Sequence, residues 1–224
     1  MLRATFDKEL QALQTELLYL GSEVETNLTK AADALIKQNI NEAQMLIKAD
    51  EWINQRRIDI GMAGLKLIAT QQPMAGDMRL IAAMIEITGE LERIHDYVKG
   101  IGKITLLVGT EPDIQAMVKP LYPMAQLTQK MLHKALDAFV QRSTALAQTI
   151  PNEDDEVDAL YNEMAKAIMD YLHQHPDAFE LGQRLEWAAH NLERAADRVI
   201  NICEWILYVT TGKYTEINES LQLG

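Results

Sequence analysis

The sequence predicts an all-α chain of two tandem three-helix bundles, and three observations carry that prediction. Apolar residues recur at alternating gaps of three and four along most of the chain, which is the period of amphipathic helices. The composition combines 48% hydrophobic residues with 6% aromatics, 11 Met and only 6 Pro, a profile of helix interfaces rather than of a β sandwich. The helical pattern also restarts midway, and the second half repeats the first.

The first helix is marked by Phe6, Leu10, Leu13, Leu17, Leu20, Val24, Leu28, Ala31 and Leu35, a coiled-coil-like seam. A polar break at Gln38 to Asn41 separates it from a second helix with Leu46, Ile53, Ile60 and Leu67 on its apolar face. That helix ends at Gln71-Gln72-Pro73, because proline disfavours helix at the residue before it. The third runs from about Met74 to Leu106 with Met84, Ile87, Leu91, Ile94, Val98 and Ile101 as its seam. Three such helices with short connections close a bundle. Gly109-Thr-Glu-Pro112 reads as a linker between units 1–108 and 113–224.

Beyond the linker the pattern returns. Lys30-Ala-Ala-Asp33-Ala34-Leu35 aligns with Lys134-Ala-Leu-Asp137-Ala138-Phe139, and Asp50 and Asn54 fall on Asp154 and Asp158. Glu92 and Asp96 then match Glu193 and Asp197 after a loop three residues shorter. A duplication with conserved motif order explains this. It predicts helices near 113–142, 144–173 and 177–211, with Pro120, Pro123 and Pro151 kinking or restarting them and Gly212 capping the last.

Composition excludes several functions. A net charge of −12 without a Lys/Arg cluster makes nucleic acid and anionic membrane poor direct partners, since both require cationic surface. Cys203 is the only cysteine, so neither an intramolecular disulfide nor a thiolate zinc site can form. No stretch approaches the ~20 apolar residues of a membrane span, and the N-terminus lacks the apolar core of a signal peptide. A soluble, cytoplasmic protein is expected. Nucleophilic triads, phosphate-binding glycine loops and nucleotide fingerprints are missing from the sequence, which argues against an enzyme.

The chemistry concentrates in Glu92-Arg93-Ile94-His95-Asp96 and Glu193-Arg194-Ala195-Ala196-Asp197. Four-residue spacing stacks each pair of carboxylates on one helix face, where like charges repel by a few tenths of a kcal/mol. With Leu91 and Ile94, or Leu192 and Ala195, at heptad positions a and d, all four acids fall at b and f, away from the seam. On the partner helices Asp50 and Asp154 lie roughly 50° from the stripe centre, and Asn54 and Asp158 roughly 90°. Two helices side by side would then form a shallow acidic groove in each half. Such oxygen-rich grooves suit hard or borderline cations. The competing reading is a solvated face in which Arg93 and Arg194 neutralise the acids. Glu92 and His95 also form the ExxH element of di-iron bundles, but Ala196 breaks the second copy and the motif faces outward, which argues against a ferritin-like oxidase. His95 reads as a surface histidine, and Trp52, Trp187 and Trp205 as core or interface packing.

These residues carry a resemblance. Ala69-Thr-Gln-Gln-Pro73-Met-Ala-Gly-Asp77-Met-Arg79 resembles the Q-Q-P-x-A-x-D-L-R signature of the phosphate-uptake regulator PhoU family. The two Glu/Asp motifs resemble that family's paired metal motifs, and Asn201 to Lys213 its C-terminal ending. The resemblance implies two three-helix bundles related by a pseudo-twofold axis, and a cytoplasmic regulator. Its partners would be the ATPase and membrane subunits of a phosphate ABC transporter and a sensor histidine kinase, with membrane association only through them. It further implies a homodimer and multinuclear metal clusters of iron, zinc, magnesium, manganese or calcium on the outer helical faces. Transferred by position, the ligands would be Asp50, Asn54, Glu92 and Asp96 in one half and Asp154, Asp158, Glu193 and Asp197 in the other. Asn54 stands where a second carboxylate would complete the set, so weaker binding is expected in the first half; His95 in place of a Gly and, in the second half, Ala195 in place of an Ile speak against equal occupancy of the two sites. The alternatives are a metal-free helical adaptor and a regulator of another phosphate carrier.

Overall fold

A computed structural model describes residues 2–111 and 114–217. Pro112 of the linker, Asp113 and residues 218–224 of the second unit lie outside the described residues. Among the described residues every regular element is helical. The first half consists of α1 (Leu2–Ile36), α2 (Ile40–Gln71) and α3 (Ala75–Val108). The second consists of α4 (Gln115–Val118), α5 (Leu121–Gln141), α6 (Thr144–Thr149), α7 (Asp154–Gln174) and α8 (Phe179–Thr211).

The seam predicted for α1 is buried from Phe6 to Leu35. The chain then reverses through one compact device. Gln38 takes a left-handed conformation at φ 52°, and its N–H and that of Asn39 return to the carbonyls of Leu35 and Ala34 at 3.1 and 2.8 Å, which satisfies the end of α1. Asn39 then caps α2, its side chain accepting from the Glu42 N–H at 3.2 Å. The second half repeats this turn. Arg142 sits at φ 51°, the N–H groups of Arg142 and Ser143 reach Phe139 and Ala138, and Ser143 Oγ accepts from the Leu146 N–H. The duplication thus extends to the hydrogen bonds of the turn.

The prolines divide the second half more finely than the periodicity predicts. Pro120 caps α5, separating it from α4. Pro151 lies in a 3-10 turn, Ile150–Glu153, so the single helix expected over 144–173 becomes α6, that turn and α7. A proline inside an α-helix would lose a hydrogen bond and clash with the preceding turn. A second 3-10 turn, Pro176–Ala178, precedes α8, which Gly212 caps at φ 75° as expected.

Helix α2 packs on α1 and α3, and α7 on α5 and α8, while α3 lies along α8 and α1 along α5. The two bundles therefore share one continuous hydrophobic core. Along α3 and α8 the symmetry is visible in side chains. Asn201 Nδ2 donates to Glu90 at 3.4 Å. At the equivalent place, Asn191 lies against Gly100, where an added Cβ would come within 2.7 Å of Nδ2. This antiparallel exchange is what a twofold relation between α3 and α8 requires.

Candidate functional site

Each half brings an acidic edge of its second long helix against its third, but the two edges differ in chemistry. In the first half Asp50 is buried, because it occupies the α2 seam itself between Leu46 and Ile53, not a position flanking it. Both of its oxygens are engaged. Oδ1 lies 3.3 Å from His95 Nδ1, and Oδ2 accepts from Lys99 Nζ at 2.6 Å and from Asn54 Nδ2 at 3.1 Å. Lys99 also reaches Asp96 Oδ1 at 3.4 Å. Its ammonium is held above the ordinary lysine range, chiefly by the hydrogen bond to Asp50.

His95 is not a surface residue. Its side chain is 0% exposed, its Nε2 lies 3.3 Å from Asn27 Nδ2, and burial pushes its ring below the ordinary histidine range. A neutral ring with hydrogen on Nδ1 satisfies both neighbours, donating to Asp50 and accepting from Asn27. A heptad pattern gives α3 a single seam, which leaves position 95 outside it. In fact α3 is covered by α1, α2 and α8. Glu92 is half-buried and its carboxyl is raised by burial and by Asp96, while Asp96 is exposed. Arg93 pairs with the buried Glu90 at 3.0 Å, not with Glu92 or Asp96. Glu90, to which sequence reasoning gave no role, also faces Arg198 at 3.5 Å.

In the second half three of the polar groups around Asp50 have apolar counterparts, and the fourth, Asn54, is replaced by the acid Asp158. Asn27, His95 and Lys99 correspond to Met131, Ala196 and Ile200, all buried. Asp154 therefore faces other acids. Its carboxyl is pushed up to about 7, first by burial and then by the charges of Asp158, Asp197, Glu193 and Asp155. Asp158 is raised by burial and Asp197, and Glu193 by burial and Asp197. Arg194 binds Asp197 at 2.9 Å. Glu193 Oε2 is buried without a hydrogen bond, although His190 Nδ1 stands 3.4 Å away outside hydrogen-bonding geometry.

A metal ion suits these two edges unequally. Among the described residues no group of three or more His, Cys, Asp or Glu side chains is arranged to hold an ion, so neither edge is a closed cage. The second half nonetheless presents mutually repelling carboxylates and an orphaned carboxylate oxygen, the donor set that a hard cation and its waters would satisfy. In the first half, both oxygens of Asp50 and the NH₂ of Asn54 are committed to protein partners. Of the tryptophans, Trp52 meets Tyr19 edge-on, and Trp205 meets Tyr208 edge-on and Tyr214 at a tilt. Trp187 is 60% exposed, which removes the core from the two expectations, core or interface packing, for this residue.

The fold and site define a class: a helical protein of duplicated bundles with acidic outer edges, and among the described residues no helix long and apolar enough to cross a membrane. The PhoU domain model matches residues 17–105 and again 121–206, and the chain belongs to the PhoU family. It is 31% identical over 220 residues to the phosphate-specific transport system accessory protein PhoU homolog of Clostridium acetobutylicum, covering 98% of this chain and 100% of that one. The crystal structure of PhoU from Pseudomonas aeruginosa superimposes with a TM-score of 0.86 at 29% identity, covering 93% of this chain and all of that one. The phosphate transport system regulatory protein PhoU from Streptococcus pneumoniae gives 0.85 at 30% identity, covering 94% of this chain.

Proposed function

We propose that this protein is a cytoplasmic, non-enzymatic regulator of phosphate uptake and of the phosphate-starvation response, acting as an adaptor between a phosphate ABC transporter and its sensor histidine kinase. The observation that carries this reading is likeness over nearly the whole chain, in sequence and in fold, to proteins named as accessory or regulatory components of phosphate transport. The net charge of −12 supports protein partners with basic cytoplasmic loops. Deleting the gene and following a phosphate-starvation reporter at high phosphate tests it: derepression is expected, and unchanged repression refutes the role. Co-purification with transporter and kinase from membranes tests the adaptor part, as light scattering tests the homodimer.

We further propose that the second-half edge is metal-capable, with Asp154, Asp158, Glu193 and Asp197 as the oxygen donors. Bound there, the ion would supply positive charge beyond the one guanidinium, Arg194, that pairs with Asp197. Alanine at Glu193 and Asp197 should remove most of the thermal stabilisation produced by Mn²⁺ or Fe³⁺, and a melting curve indifferent to metal refutes it. A second reading, a metal-free adaptor whose acidic edges serve only as contact surface, is favoured by the first half, where Asp50 is already paired with Lys99.

A further inference from the structure

The first-half edge has the same outline as the second, yet a lysine of the chain itself stands between two of its carboxylates. Lys99 extends from α3 and donates across the groove to Asp50 Oδ2 at 2.6 Å while lying 3.4 Å from Asp96 Oδ1 on its own helix. It therefore bridges α2 to α3, with its side chain only 27% exposed. A divalent ion shared by these acids would have to stand between the same oxygens. Two further groups reinforce the exclusion. Asn54 turns its NH₂, not its carbonyl, toward Asp50, and His95 uses both ring nitrogens within the protein, one toward Asp50 and one toward Asn27. His95 therefore has no lone pair free for an ion, and Asn54 presents donors to Asp50 instead of its oxygen.

We propose that Lys99 is the resident cation of the first half: its ammonium takes the place of a metal ion between Asp50 and Asp96, and this half binds no divalent cation. The two halves of the duplication thus solve one electrostatic problem in two ways. Close carboxylates on neighbouring helices need a positive charge between them. In the first half it is covalently attached and permanent. In the second, where Ile200 stands at the position of Lys99, Arg194 pairs with Asp197 on its own helix, and a cation bridging to Asp154 on the neighbouring helix would have to come from solution. A lysine ammonium carries one charge and three donors in a compact head, so it can meet two carboxylates at once without the dehydration that a divalent ion requires. Stability of the first half should then be insensitive to metal supply, which would leave any metal response to the second half. That last clause rests on the metal-capable reading above, whereas the exclusion itself does not.

The test is Mn²⁺ titration of the full-length, ¹⁵N-labelled protein, read as paramagnetic broadening of backbone amides, for the wild type and two variants. In the wild type, amides around Glu92 to Asp96 are expected to stay sharp. In Lys99→Met, which removes the ammonium but keeps the stem, they should broaden, with Mn²⁺ affinity at that edge rising at least tenfold. Broadening at 92–96 in the wild type, or no gain in Lys99→Met, overturns the proposal. The mirror variant Ile200→Lys decides the matter should Lys99→Met fail to fold. It should raise the melting temperature at pH 8 in chelated buffer and abolish any broadening at 193–197, and a variant that does neither overturns the proposal. Failure of the metal-capable reading has a different signature, sharp amides at 193–197 in the wild type, and the behaviour of Lys99→Met still decides the role of Lys99.

Discussion

Asp154→Asn is the sharpest probe of the second-half edge. The carboxyl of Asp154 moves from an ordinary 3.8 to about 7 in the fold. An acid held higher in the folded than in the unfolded chain favours folding only while protonated. That contribution is complete below about pH 4 and is lost as pH rises through about 7. At pH 8 the wild type therefore carries a charge that the fold opposes. Three pH units correspond to a ceiling of ~4 kcal/mol. Because the side chain is partly open to solvent, screening reduces this to about 1.5–2 kcal/mol. Asp154 also opens α7, where a negative charge gains from the helix dipole, and its removal returns about 0.5 kcal/mol. The net expectation is a gain of about 1–1.5 kcal/mol at pH 8, or about 3–5 °C in melting temperature for a chain of this size. At pH 5 the carboxyl is protonated in the fold but largely ionised in the unfolded chain, so about a third of the penalty remains and the gain should fall to roughly 0.5 kcal/mol, vanishing only below about pH 4. Circular-dichroism melts in chelated buffer at both pH values read this directly. An equal gain at pH 5 and pH 8, or a loss at pH 8, refutes the account of mutually repelling acids.

The remaining predictions concern the scaffold. Gly100→Ala should destabilise by about 1–2 kcal/mol, because its Cβ would crowd Asn191 Nδ2 at 2.7 Å. Adding Asn191→Ala should restore part of this in denaturant titrations, and strict additivity would exclude direct contact. Leu91→Ala, at a fully buried position of α3, should cost about 3 kcal/mol in urea unfolding. Trp187→Ala should stay within about 0.5 kcal/mol of wild type, since that ring stands out from α8.

Much of this molecule was legible in one dimension because helix periodicity and turn chemistry are local. The α1 seam, the Gln72-Pro73 stop, the Gly212 cap and the internal repeat all follow from spacing and residue type, and the structure reproduces them. Pro120 and Pro151 mark breaks as expected, whereas Pro123 is taken into the first turn of α5 without interrupting it. How finely they divide the second half depended on whether each could be accommodated at a helix start, as at Pro120, or only in a 3-10 turn, as at Pro151. The eight candidate ligands could likewise be nominated from sequence alone.

What the sequence alone left open was the environment of those residues, because burial depends on how many neighbours a helix has. A heptad assignment allows one seam, whereas α3 meets α1, α2 and α8. His95 is therefore enclosed, and Glu90 is drawn into the contact with Arg198 and Asn201. The difference between the halves was likewise written in Lys99 against Ile200 and His95 against Ala196. It acquires meaning only when α2 and α3 are side by side, since a lysine and an aspartate 49 residues apart become a 2.6 Å ion pair solely through tertiary packing. Periodicity determines which residues share a helix face; the three-dimensional arrangement decides which charges must answer one another.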